Sequence, residues 1–539
     1  MPVQEAQNTQ HSVDAIIIGA GFAGLYQLHL LRKQGLNAQI LDLASGVGGT
    51  WYWNRYPGAR TDSPSDVYQY FFSDELLAEW DWSERYTPQA ETERYLNWVA
   101  DKLALRPNIT LNTRVTAAHW DEAAQRWSVH TDKGETWSAR FVVSCLGPLT
   151  ALLAPTFPGQ ESFKGRIVHT ARWPKEGVPL EGKRVGVIGT GATGIQVIQT
   201  IAPEVKELTV FQRTANYAIP IRNPRYTDAE KRVQHERYQA LKKKVWHTFV
   251  GFDWELDTRK WSDLSHEERQ NLLETYWADG SLRMWVGGFR EFLSDPEANA
   301  EVSEFVRNKI RVRVHNPETA AKLLPTTYPF GTHRVPLENG YFETYNRPNV
   351  HLVDIKADPI TELTPAGLRT QSAEYPLDVL ILATGFDAGT GAITQIDIRG
   401  RGGRSLKELW SRDLRTAMGM QVHGFPNLFI TSSPLSPGAA FCNAPICIQH
   451  DVEWISDCIA RLGERGASTI EPTAQFEDAW VKHHDEVAST TLISRERSWY
   501  TGANIEGKTS RLIGYPGVDE FRKACDAVKA KDYEGFEIA

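Results

Sequence analysis

The stretch IIIGAGFAG, residues 16–24, decides the fold. Gly19, Gly21 and Gly24 stand in G-x-G-x-x-G spacing directly after an apolar run and directly before a helical pattern. Glycine there permits a tight strand-to-helix turn. It also lets backbone N–H groups approach a pyrophosphate, whose negative charge the helix N-terminus favours. The next strand, AQILD, ends in Asp42, 23 residues after Gly19, where a carboxylate can accept hydrogen bonds from ribose hydroxyls. Strand, turn, helix and terminal acid agree, which a plain strand–helix turn would not require.

The pattern recurs at VGVIGTGATG, residues 185–194. Gly189, Gly191 and Gly194 carry the spacing, with Thr190, Ala192 and Thr193 among them. Here the position 23 residues on is Gln212, followed by Arg213 and Thr214. An acid would repel a 2′-phosphate; Gln-Arg-Thr would welcome one, with Arg213 as the charge-assisted donor. The first site therefore suits a nucleotide with a free 2′-hydroxyl, and the second suits NADPH.

Working outward, two such units predict an α/β protein with two Rossmann-like dinucleotide-binding domains. From Thr227 to about Thr319 the chain is rich in Glu, Lys, Arg, Gln and Trp. Asp228, Ser265 and Asp295 read as caps of amphipathic helices, so this segment reads as a helical insertion. Strand-type sequence resumes with VHLVDI near Asn349 and DVLILATG, residues 378–385, as suits a parallel sheet. The last third reads as helices and loops. The expected division is a first nucleotide domain over 1–147, a second over 148–226, the insertion over 227–320, the rest of the second domain over 321–384, and the rest of the first over 385–539.

Composition narrows the function classes. The 539 residues suffice for several domains, and 41% hydrophobic with 23% charged residues is ordinary for a soluble protein. A net charge of −8 argues against a nucleic-acid surface, and no run of about 18 apolar residues suggests a membrane span. The N-terminus, MPVQEAQNTQHS, lacks the apolar core of a signal peptide and reads as a disordered lead-in. Cys145, Cys442, Cys447, Cys458 and Cys525 form no C-x-x-C pair, which removes a disulfide reductase. Cys442 and Cys447 read as buried core thiols, and the chain is expected to be cytoplasmic and reduced. No metal constellation, P-loop or G-x-S-x-G elbow is present, so no metal site is expected.

Between the two glycine motifs lies FKGRIVHTARWP, residues 163–174. It resembles the F-x-G-x-x-x-H-x-x-x-W-P signature of type I Baeyer–Villiger monooxygenases, matching at Phe163, Gly165, His169, Trp173 and Pro174. Related N- and S-oxidising flavin monooxygenases usually have Tyr or Phe at the position of Trp173, without the following proline. A second pattern of the same family fits GGTWYWNRYPGARTD, residues 48–62. YPFGTHR (328–334), ETYNRPNVHLVD (343–354), ATGFD (383–387) and SWYTGANIEGK (498–508) extend the resemblance over nearly the whole chain.

The resemblance implies FAD at the first site, lined by Gly49, Thr50, Trp51, Tyr52, Trp53, Asp62, Tyr68 and Val115. It implies NADPH at the second, with Arg60, Thr61 and Asp62 near the nicotinamide, Arg213 and Thr214 on the 2′-phosphate, and Trp499 packed over the nucleotide. His333 stands where the family commonly has Lys, so its grip on that phosphate is expected to be weaker and pH-dependent. The implied reaction uses NADPH and O2 to insert oxygen beside a ketone carbonyl through a peroxyflavin, giving an ester or lactone. N- or S-oxidation is the alternative, and a non-catalytic flavin and NADP sensor a third reading. Arg334 would stabilise the anions of the reaction, since arginine keeps its charge, and Asp62 is the candidate to orient it. Without the resemblance, Arg334 reads equally as a structural ion-pair residue or a phosphate ligand. His169 reads as a linker-orienting residue rather than a catalytic one. The expected partners are a small-molecule ketone and O2, in a monomer or small homo-oligomer.

Overall fold

The isoleucines of the first motif, Ile16 to Ile18, end a strand buried on both faces; Ile16 and Ile17 have no exposed surface. The computed structural model describes residues 10–539; the N-terminal lead-in up to residue 9 lies outside them. The first nine strands are β1 Gln10–Ile18, β2 Ala38–Leu41, β3 Ile109–Thr110, β4 Val115–Asp121, β5 Arg126–Thr131, β6 Thr136–Ser144, β7 Arg166–His169, β8 Arg184–Ile188 and β9 Glu207–Gln212.

In the first sheet β6, β1, β2 and β3 run in parallel, and β5 and β4 extend it antiparallel beyond β6. The helix Phe22–Lys33 leaves β1 through the first glycine turn. The second sheet is wholly parallel, in the order Val350–Asp354, β9, β8, Val379–Leu382, β7. Its helix, Ala192–Ile201, leaves β8 through the second glycine turn. Two parallel sheets with crossover helices are the architecture the repeated motif predicts.

The last third holds more than helices and loops. The short strand Asp397–Arg399 pairs with β4, Leu428–Ile430 pairs with β6, and Ile470–Pro472 pairs with Phe536–Ile538. Each is three residues long, too short to show an alternating pattern in sequence.

Residues 228–323 carry helices and no strand. The cap of the first of these, Asp228–Val245, is Thr227 rather than Asp228. Thr227 Oγ1 accepts from Glu230 N, and the Glu230 carboxylate accepts from Thr227 N at 2.7 Å, a reciprocal box that places Asp228 inside the helix. Ser265 and Asp295 cap as expected. The insertion packs into one apolar cluster with the second sheet, and Trp261 and Trp285 are among its buried anchors. Cys442 and Cys447 are joined in a disulfide, not packed as separate core thiols. They occupy the positions before the cap, Asn443, and four residues into the helix Ala444–Arg465, where an apolar pair commonly staples a helix start.

Arg313, just beyond the helix Pro296–Arg311, fixes the insertion to the second domain. It donates to Glu338 at 2.7 Å and to Glu343 at 2.6 Å. The Glu338 side chain is fully buried and also accepts from Tyr341 N. Burial opposes the Arg313 charge, but the two carboxylates outweigh it and hold the guanidinium above its ordinary range. Arg313→Met would leave the Glu338 charge buried and unpaired, a loss of about 3 kcal/mol in the denaturant-unfolding free energy. Adding Glu338→Gln to that variant is expected to restore much of the loss.

Candidate active site between the two glycine turns

Backbone contact dictates most of the glycines. Gly19 has φ +111°, and a Cβ there would meet the carbonyl oxygen of Cys145 at 2.8 Å. Gly24 and Gly194 press on the carbonyls of Gly19 and Gly189, which sit in the corresponding turns. The middle glycines differ. A Cβ on Gly191 would meet no protein atom within 4 Å, so packing does not explain it and close approach of a nucleotide does. Gly21 lies against Gly49, where a Cβ on Gly49 would come within 2.9 Å of the Gly21 Cα. Two facing glycines keep this cradle open for a pyrophosphate. Asp42 Oδ2 accepts from Ala20 N and Oδ1 from Ala44 N, both at 2.6 Å. Burial raises its carboxyl above the usual range, though these two amides act the other way.

The segment 48–62 runs as a strap from the first turn to the second. Thr50, Trp51, Tyr52 and Trp53 form one helical turn behind Gly49. Trp51 Nε1 donates to Tyr68 Oη at 3.2 Å, and the two rings meet edge to face. Tyr52 and Trp53 also meet edge to face, with Arg172 over the Trp53 ring. Val115 is buried at the start of β4. Farther along, Arg60 Nη1 donates to Tyr86 O, and Thr61 N donates to Thr87 O. Asp62 then meets Arg334, whose Nη2 donates to Asp62 Oδ2 at 2.8 Å. The Asp62 side chain is 3% exposed and that of Arg334 is 44% exposed. Burial opposes the Arg334 charge, but Asp62, with Tyr500 and Tyr56 nearby, outweighs it and raises the guanidinium. Asp62 Oδ1 and Thr61 Oγ1 are buried without a protein partner, so this part of the strap has polar atoms to offer a nucleotide.

On the second site, Thr190 Oγ1 donates to Thr214 O at 2.9 Å, which ties the glycine turn to the end of β9. Arg213 and Thr214 are exposed there. Gln212 does not join them. Its side chain is buried and donates to Lys322 O at 2.7 Å, so of the expected trio only Arg213 and Thr214 are exposed. Trp499 packs on Tyr500, which is buried beside Arg334 and against Phe441. From the sequence Tyr56 reads only as a match to the 48–62 pattern and Tyr500 only as part of the 498–508 stretch; their neighbourhood with Arg334 exists only in three dimensions.

His333 corrects the expected pH dependence. Its ring stacks on Tyr328 at 3.9 Å. Burial, and then the Arg213 charge, push it down to about 4. It is therefore neutral throughout the range in which a free histidine titrates. His169 accepts from Ala171 N through Nδ1 and contacts Leu153 O and Thr384 Oγ1 through Nε2. It thus joins the segment leaving the first domain to the ATGFD stretch. Phe163 packs against Gly165, Trp173 is buried in the second-domain core, and half-buried Pro174 follows it. No helix among the described residues is long and apolar enough to cross a membrane, and no cluster of three or more His, Cys, Asp and Glu suits a metal ion.

Comparison with known proteins defines the class. The model of the family described as flavin-binding monooxygenase-like matches residues 13–269. An acetone monooxygenase (methyl acetate-forming) of Gordonia sp. (strain TY-5) is 51% identical over 98% of this chain and 99% of its own. The structure of cyclohexanone monooxygenase from Rhodococcus sp. Phi1 bound to NADP+ superposes with a TM-score of 0.96 at 41% identity, covering 98% of this chain and 99% of that one. A complex of OTEMO with FAD and NADP superposes at 0.94 with 41% identity and the same coverage. The chain belongs to the flavin-binding monooxygenase family and, within it, to the Baeyer–Villiger monooxygenases.

Two outcomes are expected at His333. The KM for NADPH should show no inflection from this residue between pH 5.5 and 8, each limit being about where a free histidine is mostly charged or mostly neutral. His333→Lys should lower that KM several-fold at every pH in the range; a gain confined to high pH would mean that His333 does become charged. Stability carries the opposite signature. A lowered folded-state value means that the unfolded chain takes up the proton first, so this residue's contribution is present above about pH 6.5 and is lost as pH falls toward about 4.

Proposed function

We propose that this Baeyer–Villiger monooxygenase acts on small ketones, converting them to esters, or to lactones where the ketone is cyclic. NADPH supplies the electrons and O2 the inserted oxygen atom. The observation that carries the reading is the ion pair of buried Asp62 with half-exposed Arg334, standing at the end of the strap that runs from the first glycine turn to the second-site helix. The 51% identity to an acetone monooxygenase supports a small substrate.

FAD, when bound, supplies two-electron chemistry and the activation of oxygen. The chain's own residues then have three tasks. Gly19, Gly21 and Gly24, with Gly49 and Asp42, hold the first nucleotide; Gly189, Gly191 and Gly194, with Arg213 and Thr214, hold the second. Asp62 fixes the direction of Arg334 and keeps its charge compensated while the site is empty of anions. Arg334 presents a permanent cation and N–H donors to the anionic oxygen that develops at the ketone carbonyl. Its half-exposed side chain suits this task better than a purely structural ion pair would. Tyr500 and Trp499 wall the same space.

The division at residues 147, 226, 320 and 384, a cytoplasmic location, and a monomeric or small homo-oligomeric state complete the reading. Oxidation at N or S is not the main activity: Trp173-Pro174 and Arg334 favour the ketone.

Arg334→Ala should leave flavin reduction by NADPH within about tenfold of wild type while ester formation falls by about 100-fold or more, as for loss of one oxyanion donor. Stopped-flow flavin absorbance and product analysis separate the two. Retained ester formation would remove the role given to Arg334.

A further inference from the structure

The strap that carries Asp62 is attached to the second nucleotide site by one buried amide. Gln196 lies in the helix Ala192–Ile201, four residues after its start at the glycine turn, and is 3% exposed. Its Oε1 accepts from Tyr56 Oη at 2.9 Å, and its Nε2 donates to Arg60 O at 3.3 Å. Both partners belong to the strap, one on either side of Gly58. Gly58, at φ +83°, lies against the same helix, where a Cβ would meet Gln196 O at 2.6 Å and crowd Thr200. Thr200 Oγ1 in turn donates to Gln196 O at 2.7 Å. Two residues beyond Arg60 the strap reaches Asp62.

The amide can be placed in only one sense. Burial pushes the Tyr56 hydroxyl up to about 12, so it stays protonated and able to donate. The Arg60 carbonyl can only accept. Rotating the Gln196 amide by half a turn would set its oxygen against that carbonyl, two acceptors face to face. The Tyr56 hydroxyl also lies within the electrostatic reach of Asp62 and Arg334, the first raising and the second lowering its pKa. Gln196 therefore ties the second-site helix, through Tyr56 and Arg60, to the short segment that ends at Asp62.

We propose that Gln196 is a positioning residue, a latch that holds the strap to the second-site helix so that occupation of this site by NADP orders the Asp62–Arg334 pair. The proposal rests on the roles given above to Asp62 and Arg334. By linkage, a latch that couples the two must also make NADP binding depend on the strap. Losing one buried hydrogen bond of this kind corresponds to about tenfold in occupancy of the latched arrangement.

The test uses the full-length, FAD-loaded protein with Gln196→Leu, which removes both bonds, and Tyr56→Phe, which removes one with little change of shape. The first readout is the rise in Tm on adding saturating NADP+. The second is KM against kcat for NADPH. The third is hydrogen peroxide released per NADPH in the presence of a small ketone, where NADPH, H+ and O2 leave as NADP+ and H2O2 instead of yielding ester and water. The expected result is a Tm increment at most half that of wild type, KM up about tenfold with flavin reduction at saturation nearly unchanged, and a several-fold larger peroxide share. A merely structural role would lower the Tm without NADP+ and leave the increment intact, and that result in Tyr56→Phe would overturn the latch even if Gln196→Leu failed to fold. Wild-type protein that makes no ester from any ketone would overturn the functional reading, while the Tm increment would still decide the latch.

Discussion

A carboxylate with 3% of its side chain exposed is held at Asp62 by a guanidinium that lies 272 residues later in the chain. Charge in such a place is tolerated only when its partner is delivered reliably, because an unpaired buried charge destabilises by several kcal/mol, on the order of 3–5. The architecture around it can be understood as the means of delivery. The strap brings Asp62 from the first glycine turn, and the segment after the helical insertion brings Arg334. The insertion is fixed to the second domain by Arg313 and its two carboxylates, and this anchoring bears on the position of Arg334, which lies between it and Glu338.

The same arrangement accords with the role proposed above for Arg334, a permanently charged residue facing anions. In the resting protein Asp62 compensates Arg334, and Asp62 Oδ1 remains buried without a partner. The pair is therefore neither fully satisfied nor unpaired. Such a partly satisfied polar group has more to gain from an incoming ligand than a closed salt bridge would.

Much of this was legible in the sequence, for reasons that differ by element. The glycine turns were legible because their spacing is set by local sterics: Gly24 must be glycine to pass Gly19, and Gly194 to pass Gly189. The helical insertion was legible from its caps, although Thr227 displaced Asp228 because the Glu230 side chain selects the residue three before it. The Asp62–Arg334 pair was reached only through family resemblance, since nothing local in either segment specifies the other. Gln212 and His333 were misread for a single reason. Sequence supplies a residue's chemistry but not its burial, and here one turns inward to Lys322 while the other lies under Tyr328. Gln196 carried no signal at all, being one polar residue within an amphipathic helix. The pairing of Cys442 with Cys447 depends on the helix start at Asn443, which composition does not reveal.

The first sheet is not completed by the first domain's own early segment. Its strand Leu428–Ile430 lies beside β6, with Leu428 opposite Val142, and Asp397–Arg399 lies beside β4. During synthesis some 430 residues must therefore be made before Val142–Ser144, in the part of β6 beyond the reach of β5, gain a neighbour on their second side. Until then a growing polypeptide leaves this short stretch with unpaired backbone groups on one side, the kind of opening through which a stray strand can add. The last contact that closes the first sheet is thus a late one in the order of synthesis, made by residues from the last third of the chain.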